Sequence, residues 1–142
     1  MSTNSDTTKL TGQCLCGGIK YEVSNLQPKM AHCHCSMCRK CHGAAFGTYG
    51  VAKVENFKWL QGGELLKTYT APNGTKRQFC SECGSSLTFA PINDDGTHIE
   101  FTLGTLDSEI TVKPDSHIYC SYKADWYEIA DDLPQFPEGR ES

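Results

Sequence analysis

The chain has 142 residues, 38% of them hydrophobic, a formal net charge of −4 and a sequence pI near 5.7. That is the size of one ordinary domain with room for one core, and its acidic balance argues against a nucleic-acid binder, which needs a basic face. No apolar run approaches the roughly 20 residues of a membrane helix, and residues 1–9 lack the basic start and apolar stretch of a secretory signal, so a soluble, cytoplasmic protein is expected.

Gly, Pro and Asn punctuate the chain at short intervals and long apolar stretches of helical period are missing, the texture of an all-β domain. A disordered start over 1–10, a single zinc-binding β domain over 11–130 and an extended tail over 131–142 are expected. Ile19, Tyr21 and Val23 alternate with Lys20 and Glu22, which predicts a half-buried strand. Only 36–40 reads as helical: one short turn capped by Ser36 and carrying Cys38 and Arg39. Strands are predicted at 44–51, 57–60, 65–70, 75–79 and 86–90, with turns at Gly62-Gly63, Pro72-Asn73-Gly74 and Asn93-Asp94-Asp95-Gly96. Ile99, Phe101 and Leu103 alternate with His98, Glu100 and Thr102 in a further strand, and the tail is expected to pack through Phe136.

Nine cysteines, an odd number without a secretory context, point to metal ligands rather than to disulfides. Cys14-x-Cys16 precedes Gly17-Gly18, and Cys80-x-x-Cys83 precedes Gly84. A tetrahedral zinc takes four thiolates at about 2.3 Å, so Cys14, Cys16, Cys80 and Cys83 predict a closed structural site that staples the first strand to the sixth or seventh. The glycines suit knuckles that turn round a metal with positive φ. Cys33-x-Cys35-x-x-Cys38 offers three thiolates and leaves a fourth position open, the pattern of a catalytic zinc that deprotonates an incoming thiol. Arg39 and Lys40 follow the last of these ligands, and their charge suits an anionic site. Cys41 could close the sphere instead, although a turn starting at Ser36 swings it off the ligand face. His32 and His34 are able to ligate but are expected on the other side of an extended segment. Cys120 and His117 are either a reactive pair or a small buried thiol with a neighbour in a late strand.

The segments GQCLCGGIKYEV, AHCHCSMCRKCHGAAFGTY, RQFCSECGSSLTF and PDSHIYCSYKADWYEI resemble, in order and spacing, the glutathione-dependent formaldehyde-activating enzyme family, which includes centromere protein V. The resemblance spans about 11–136. It implies a mainly β fold of the β-tent type, with antiparallel sheets stapled by zinc. It further implies two zinc ions, one on Cys14, Cys16, Cys80 and Cys83 and one on Cys33, Cys35 and Cys38. The implied activity is carbon–sulfur lyase chemistry, the joining of glutathione, as co-substrate, to formaldehyde or another small aldehyde. Arg39, Lys76 and Arg77 are candidates to meet the carboxylates of glutathione, by charge and by proximity to the motifs. Two alternatives stand beside this reading. One is a non-enzymatic zinc-binding interaction module of the centromere protein V type; the other is a thiol oxidoreductase of the methionine sulfoxide reductase kind, acting through Cys120. Oligomeric state has no signal in the sequence.

Overall fold

A computed structural model describes residues 9–141, and within them the short alternating segments become ten strands and one helix. In chain order these are β1 (Leu10–Gln13), β2 (Lys20–Val23), β3 (Ala31–Cys33), helix α1 (Ser36–His42), β4 (Gly47–Lys53), β5 (Phe57–Gln61), β6 (Leu66–Thr70), β7 (Lys76–Cys80), β8 (Ser86–Ala90), β9 (His98–Thr102) and β10 (Ser116–Ile118). The start expected to be disordered lies outside the described residues except for its last two, where β1 already begins.

One sheet has the order β1-β2-β5 and the other β10-β3-β4-β9-β8-β7-β6. Every pairing is antiparallel except β10 with β3, which departs from the expected antiparallel sheets. No hairpin joins those two strands, so nothing local fixes their relative direction. Both are three residues long, too short to show a period in the sequence.

The larger sheet presents two different faces because its side chains alternate. Gly50 pairs with Phe101 and Ala52 with Ile99, and this face meets the smaller sheet in a core built on Tyr21, Val23, Leu87 and Phe101. Tyr21 stacks on Phe57 with centroids 5.0 Å apart, and its hydroxyl meets Thr105 Oγ1 at 2.7 Å. Burying a side chain such as Phe101 contributes roughly 1.5–3 kcal/mol relative to leaving it exposed. The opposite face, carrying Tyr49, Val51 and Glu100, is free to hold a site. For this reason β9 is not simply half-exposed: Glu100 is partly covered on the far face, and Thr102 donates to the Ser86 carbonyl.

After β10 the chain turns back, and residues around Gln135 run parallel beside His117. The backbone of His117 donates to Pro134 O, and that of Phe136 donates to His117 O, both at 2.9 Å. Between β5 and β6, Gly62 holds a φ of 84°, and a Cβ there would collide with the Gly18 carbonyl oxygen. Gly62→Ala is therefore expected to cost about 3 kcal/mol through left-handed strain and overpacking. The check is a lowered urea midpoint at constant m-value; an unmoved midpoint would show that the two backbones separate freely.

Candidate functional site

Cys14 leaves β1 and Cys80 ends β7, so the packing of the two sheets in one core brings the two knuckles together. Gly17 (φ 77°) and Gly84 (φ 79°) turn each knuckle, donating to Cys14 O and Cys80 O respectively. Backbone N–H groups also point at sulfur: Ile19 to Cys14 Sγ at 3.3 Å and Cys16 to Cys83 Sγ at 3.4 Å. The Cys14 and Cys16 sulfurs lie 3.6 Å apart, and those of Cys16 and Cys80 3.9 Å. A disulfide would need about 2.0 Å, whereas the edge of a tetrahedron with 2.3 Å metal–sulfur bonds is about 3.8 Å. All four sulfurs lie within 4.8 Å of one another, so the set fits a single tetrahedral ion such as zinc. The Ser85 hydroxyl beside Cys83 draws that thiol down to about 5.

The second group is assembled by one tight stretch. Cys33 ends β3, Cys35 is the N-cap of α1, and Cys38 lies in its first turn, where its backbone N–H donates to Cys35 Sγ at 3.3 Å. The cap is thus Cys35 rather than Ser36, and the helix runs two residues further than expected, to His42. The sulfur of the capping residue takes the role a serine hydroxyl usually has. The three sulfurs also fall within 4.8 Å of one another. Hydrogen bonds from Cys33 and then Cys38 pull the Cys35 thiol down to about 2, and the same sharing pushes Cys33 up.

Arg77 reaches this group from β7. Its Nη2 donates to Cys38 Sγ at 3.6 Å, its Nη1 donates to the Tyr49 hydroxyl at 3.0 Å, and its guanidinium sits 4.7 Å from the Phe89 ring centroid. Burial opposes the Arg77 charge, but Tyr49 and the Cys38 sulfur hold its pKa above the ordinary value. The Tyr49 hydroxyl, accepting from Arg77, also shares a hydrogen bond with His42 Nε2 at 2.7 Å. Burial first and Arg77 second lower the pKa of His42, which favours its neutral form.

Above these side chains lies a cavity of about 770 Å³, lined among others by Cys33, Cys35, Cys38, Tyr49, Arg77 and Phe89. That volume is in the usual range for a small-molecule site. Of the three cations expected to meet glutathione, Arg77 lines it, whereas Arg39 and Lys76 do not. Lys76 is exposed, and strand alternation turns it away from its neighbour Arg77. Lys40 borders an adjacent groove with Cys41, whose exposed thiol lies 3.4 Å from Ser86 Oγ and outside the three-sulfur group.

The histidines beside Cys33 point elsewhere. His32 Nδ1 meets Thr48 Oγ1 at 2.7 Å, while buried His34 joins His117 at 2.8 Å, and His117 Nε2 meets the Asp131 carboxylate at 3.0 Å. Burial, reinforced by His117, lowers His34 to about 4. His117 is thereby committed to His34 and Asp131 rather than to Cys120. Cys120 opens a 3-10 turn, and burial pushes its thiol up, the opposite of what an attacking thiolate needs. Tyr49 and His42 had no motif to mark them; their place next to Cys38 depends on register and on the length of α1.

The model of the glutathione-dependent formaldehyde-activating enzyme family matches residues 9–122. A Halomonas elongata protein provisionally named as such an enzyme is 30% identical over 128 residues, covering 84% of this chain and 80% of its own length. An uncharacterized lyase of Schizosaccharomyces pombe is 27% identical over 126 residues, 88% of either chain. A crystal structure of a Rhodobacter sphaeroides protein matches with a TM-score of 0.58 at 22% identity, over 71% of this chain and 91% of the other, a likeness of fold.

Proposed function

Because the chain belongs to the glutathione-dependent formaldehyde-activating enzyme family, we propose that it is a zinc-dependent carbon–sulfur lyase that joins glutathione to formaldehyde or another small aldehyde. The supporting observation is that three converging thiols, with Cys41 turned away, open onto a cavity large enough for a tripeptide. Cys33, Cys35 and Cys38 would hold the zinc of this site, and Cys14, Cys16, Cys80 and Cys83 a structural one. Zinc bound there supplies the electrophile that keeps a thiol deprotonated at neutral pH.

The chain's own residues do the rest. Arg77 sets a buried positive charge against the anionic sulfurs, and a guanidinium has N–H groups beyond the two used on Cys38 and Tyr49. In the addition a carbon–sulfur bond forms, and the carbonyl electron pair moves onto oxygen, which then takes a proton. A fixed donor beside the sulfurs favours that developing charge. Tyr49 and His42 hold the guanidinium in place, and Phe89 packs against its face.

The test is exchange NMR of glutathione with isotopically labelled formaldehyde at catalytic amounts of zinc-loaded protein. Acceleration of at least about tenfold over the spontaneous rate is expected, a barrier reduction near 1.4 kcal/mol. An unchanged rate with this aldehyde and with other small aldehydes would remove the lyase reading.

A further inference from the structure

The cavity carries two charges outside every cysteine motif. Directly opposed residues of neighbouring antiparallel strands share a face, and the register runs from Val51 to Glu100, from Glu100 to Phe89 and from Phe89 to Arg77. Glu100 is thereby fixed on the cavity face, and it lines the cavity with Lys29, which precedes β3. Lys29 is exposed and lies outside the ladder: β3 begins only at Ala31, and the backbone N–H that meets the Val51 carbonyl, at 2.8 Å, is that of Gln27.

Among the described residues, no hydrogen bond or ion pair engages either the Glu100 carboxylate or the Lys29 ammonium. Arg140, also in the cavity wall, differs: its Nη2 is held by Asp115 Oδ1 at 2.6 Å and by Met30 O at 3.2 Å. Burial pushes the Glu100 carboxyl up, Asp94 adds to this and Arg77 opposes it. A half-covered carboxylate in this position gains from a cation brought by a ligand.

The charges match the ligand proposed above. Glutathione carries its thiol on the middle residue and a single cation, the α-ammonium of the γ-glutamyl residue, with an α-carboxylate on the same carbon. With the thiol at the cysteines, that ammonium is the group an unpartnered carboxylate in the cavity wall can receive, and Lys29 lines the same cavity for the carboxylate. Resting on the glutathione reading, we propose that Glu100 receives the α-ammonium and Lys29 the α-carboxylate of the γ-glutamyl residue, so that the cavity selects zwitterionic γ-glutamyl thiols.

Calorimetric titration of the full-length, zinc-loaded protein decides this. The two probes are glutathione and glutaryl-cysteinylglycine, which differs only in lacking the α-ammonium. Wild type is expected to bind glutathione about tenfold more tightly, the effect of one hydrogen bond to a charged group. Glu100→Gln should bring glutathione down to the affinity of the analogue and leave the analogue unchanged. A preference that survives in Glu100→Gln, or an equal weakening of both probes, overturns the assignment, as does a wild type that binds both equally. A wild type that binds neither probe overturns the glutathione reading itself.

Discussion

Replacing Cys80 with serine, or stripping the metal with a strong chelator, is expected to leave the chain unfolded at room temperature. Cys80 is fully buried, and with Cys14 it belongs to the core cluster that includes Ile19, Tyr21 and Leu87. A hydroxyl there would lie in an apolar setting without the geometry to replace a thiolate. The larger effect is the loss of the zinc proposed for these four sulfurs. Apparent binding energies of structural zinc are about 10–16 kcal/mol, while a whole domain is stable by about 5–15 kcal/mol. The smaller sheet has only three short strands, and its knuckle at residues 14–18 meets Cys80 and the turn after it through Cys16 Sγ, the Cys16 N–H on Cys83 Sγ and the Leu15 N–H on Ser85 Oγ. Chelator titration followed by circular dichroism and a zinc indicator should show release of this ion and loss of structure in one transition. A metal-free protein that still melts cooperatively near the original temperature would show that the four sulfurs are packing groups, not ligands.

The two cysteine pairs and the cysteine triplet were legible in the sequence because each is local, and each pair is followed by a glycine whose positive φ the structure bears out, Gly17 and Gly84. The longer strands were legible too, since Tyr21 and Phe101 sit on alternations that bury one face. What surrounds the sulfurs was legible only at Arg77, one of three candidate cations, and its face was not. Arg77, Tyr49 and Glu100 share one face only because β7, β8, β9 and β4 align in a particular register, and each of their segments allowed either face. The difference between Arg77 and Lys76 is a single step of alternation. The capping role of Cys35 was hidden for another reason: sulfur is not among the usual capping atoms, so Ser36 was the natural choice.

That same cap makes Cys35→Ser the cleanest probe of the second group, and its expected result is loss of the exchange activity with the fold retained. Cys35 Sγ accepts from the Cys38 N–H, and serine does so at least as well at an N-cap, so the start of α1 should survive. Cys35→Ala would also remove the cap, at about 1 kcal/mol, and would confuse chemistry with stability. Serine takes away only the thiolate on which Cys33 and Cys38 converge. The two remaining sulfurs are too few for a catalytic zinc, which takes three protein ligands. Residues that act as a unit lose nearly all their contribution when one is removed, so the rate should fall by about 10³-fold or to the spontaneous exchange, whichever is reached first. Metal content should drop from two ions to one, and the melting temperature should stay within about 5 °C. Undiminished exchange in this variant would place the chemistry away from the three cysteines. Collapse of the fold would instead assign them a structural role equal to that of the four-cysteine group.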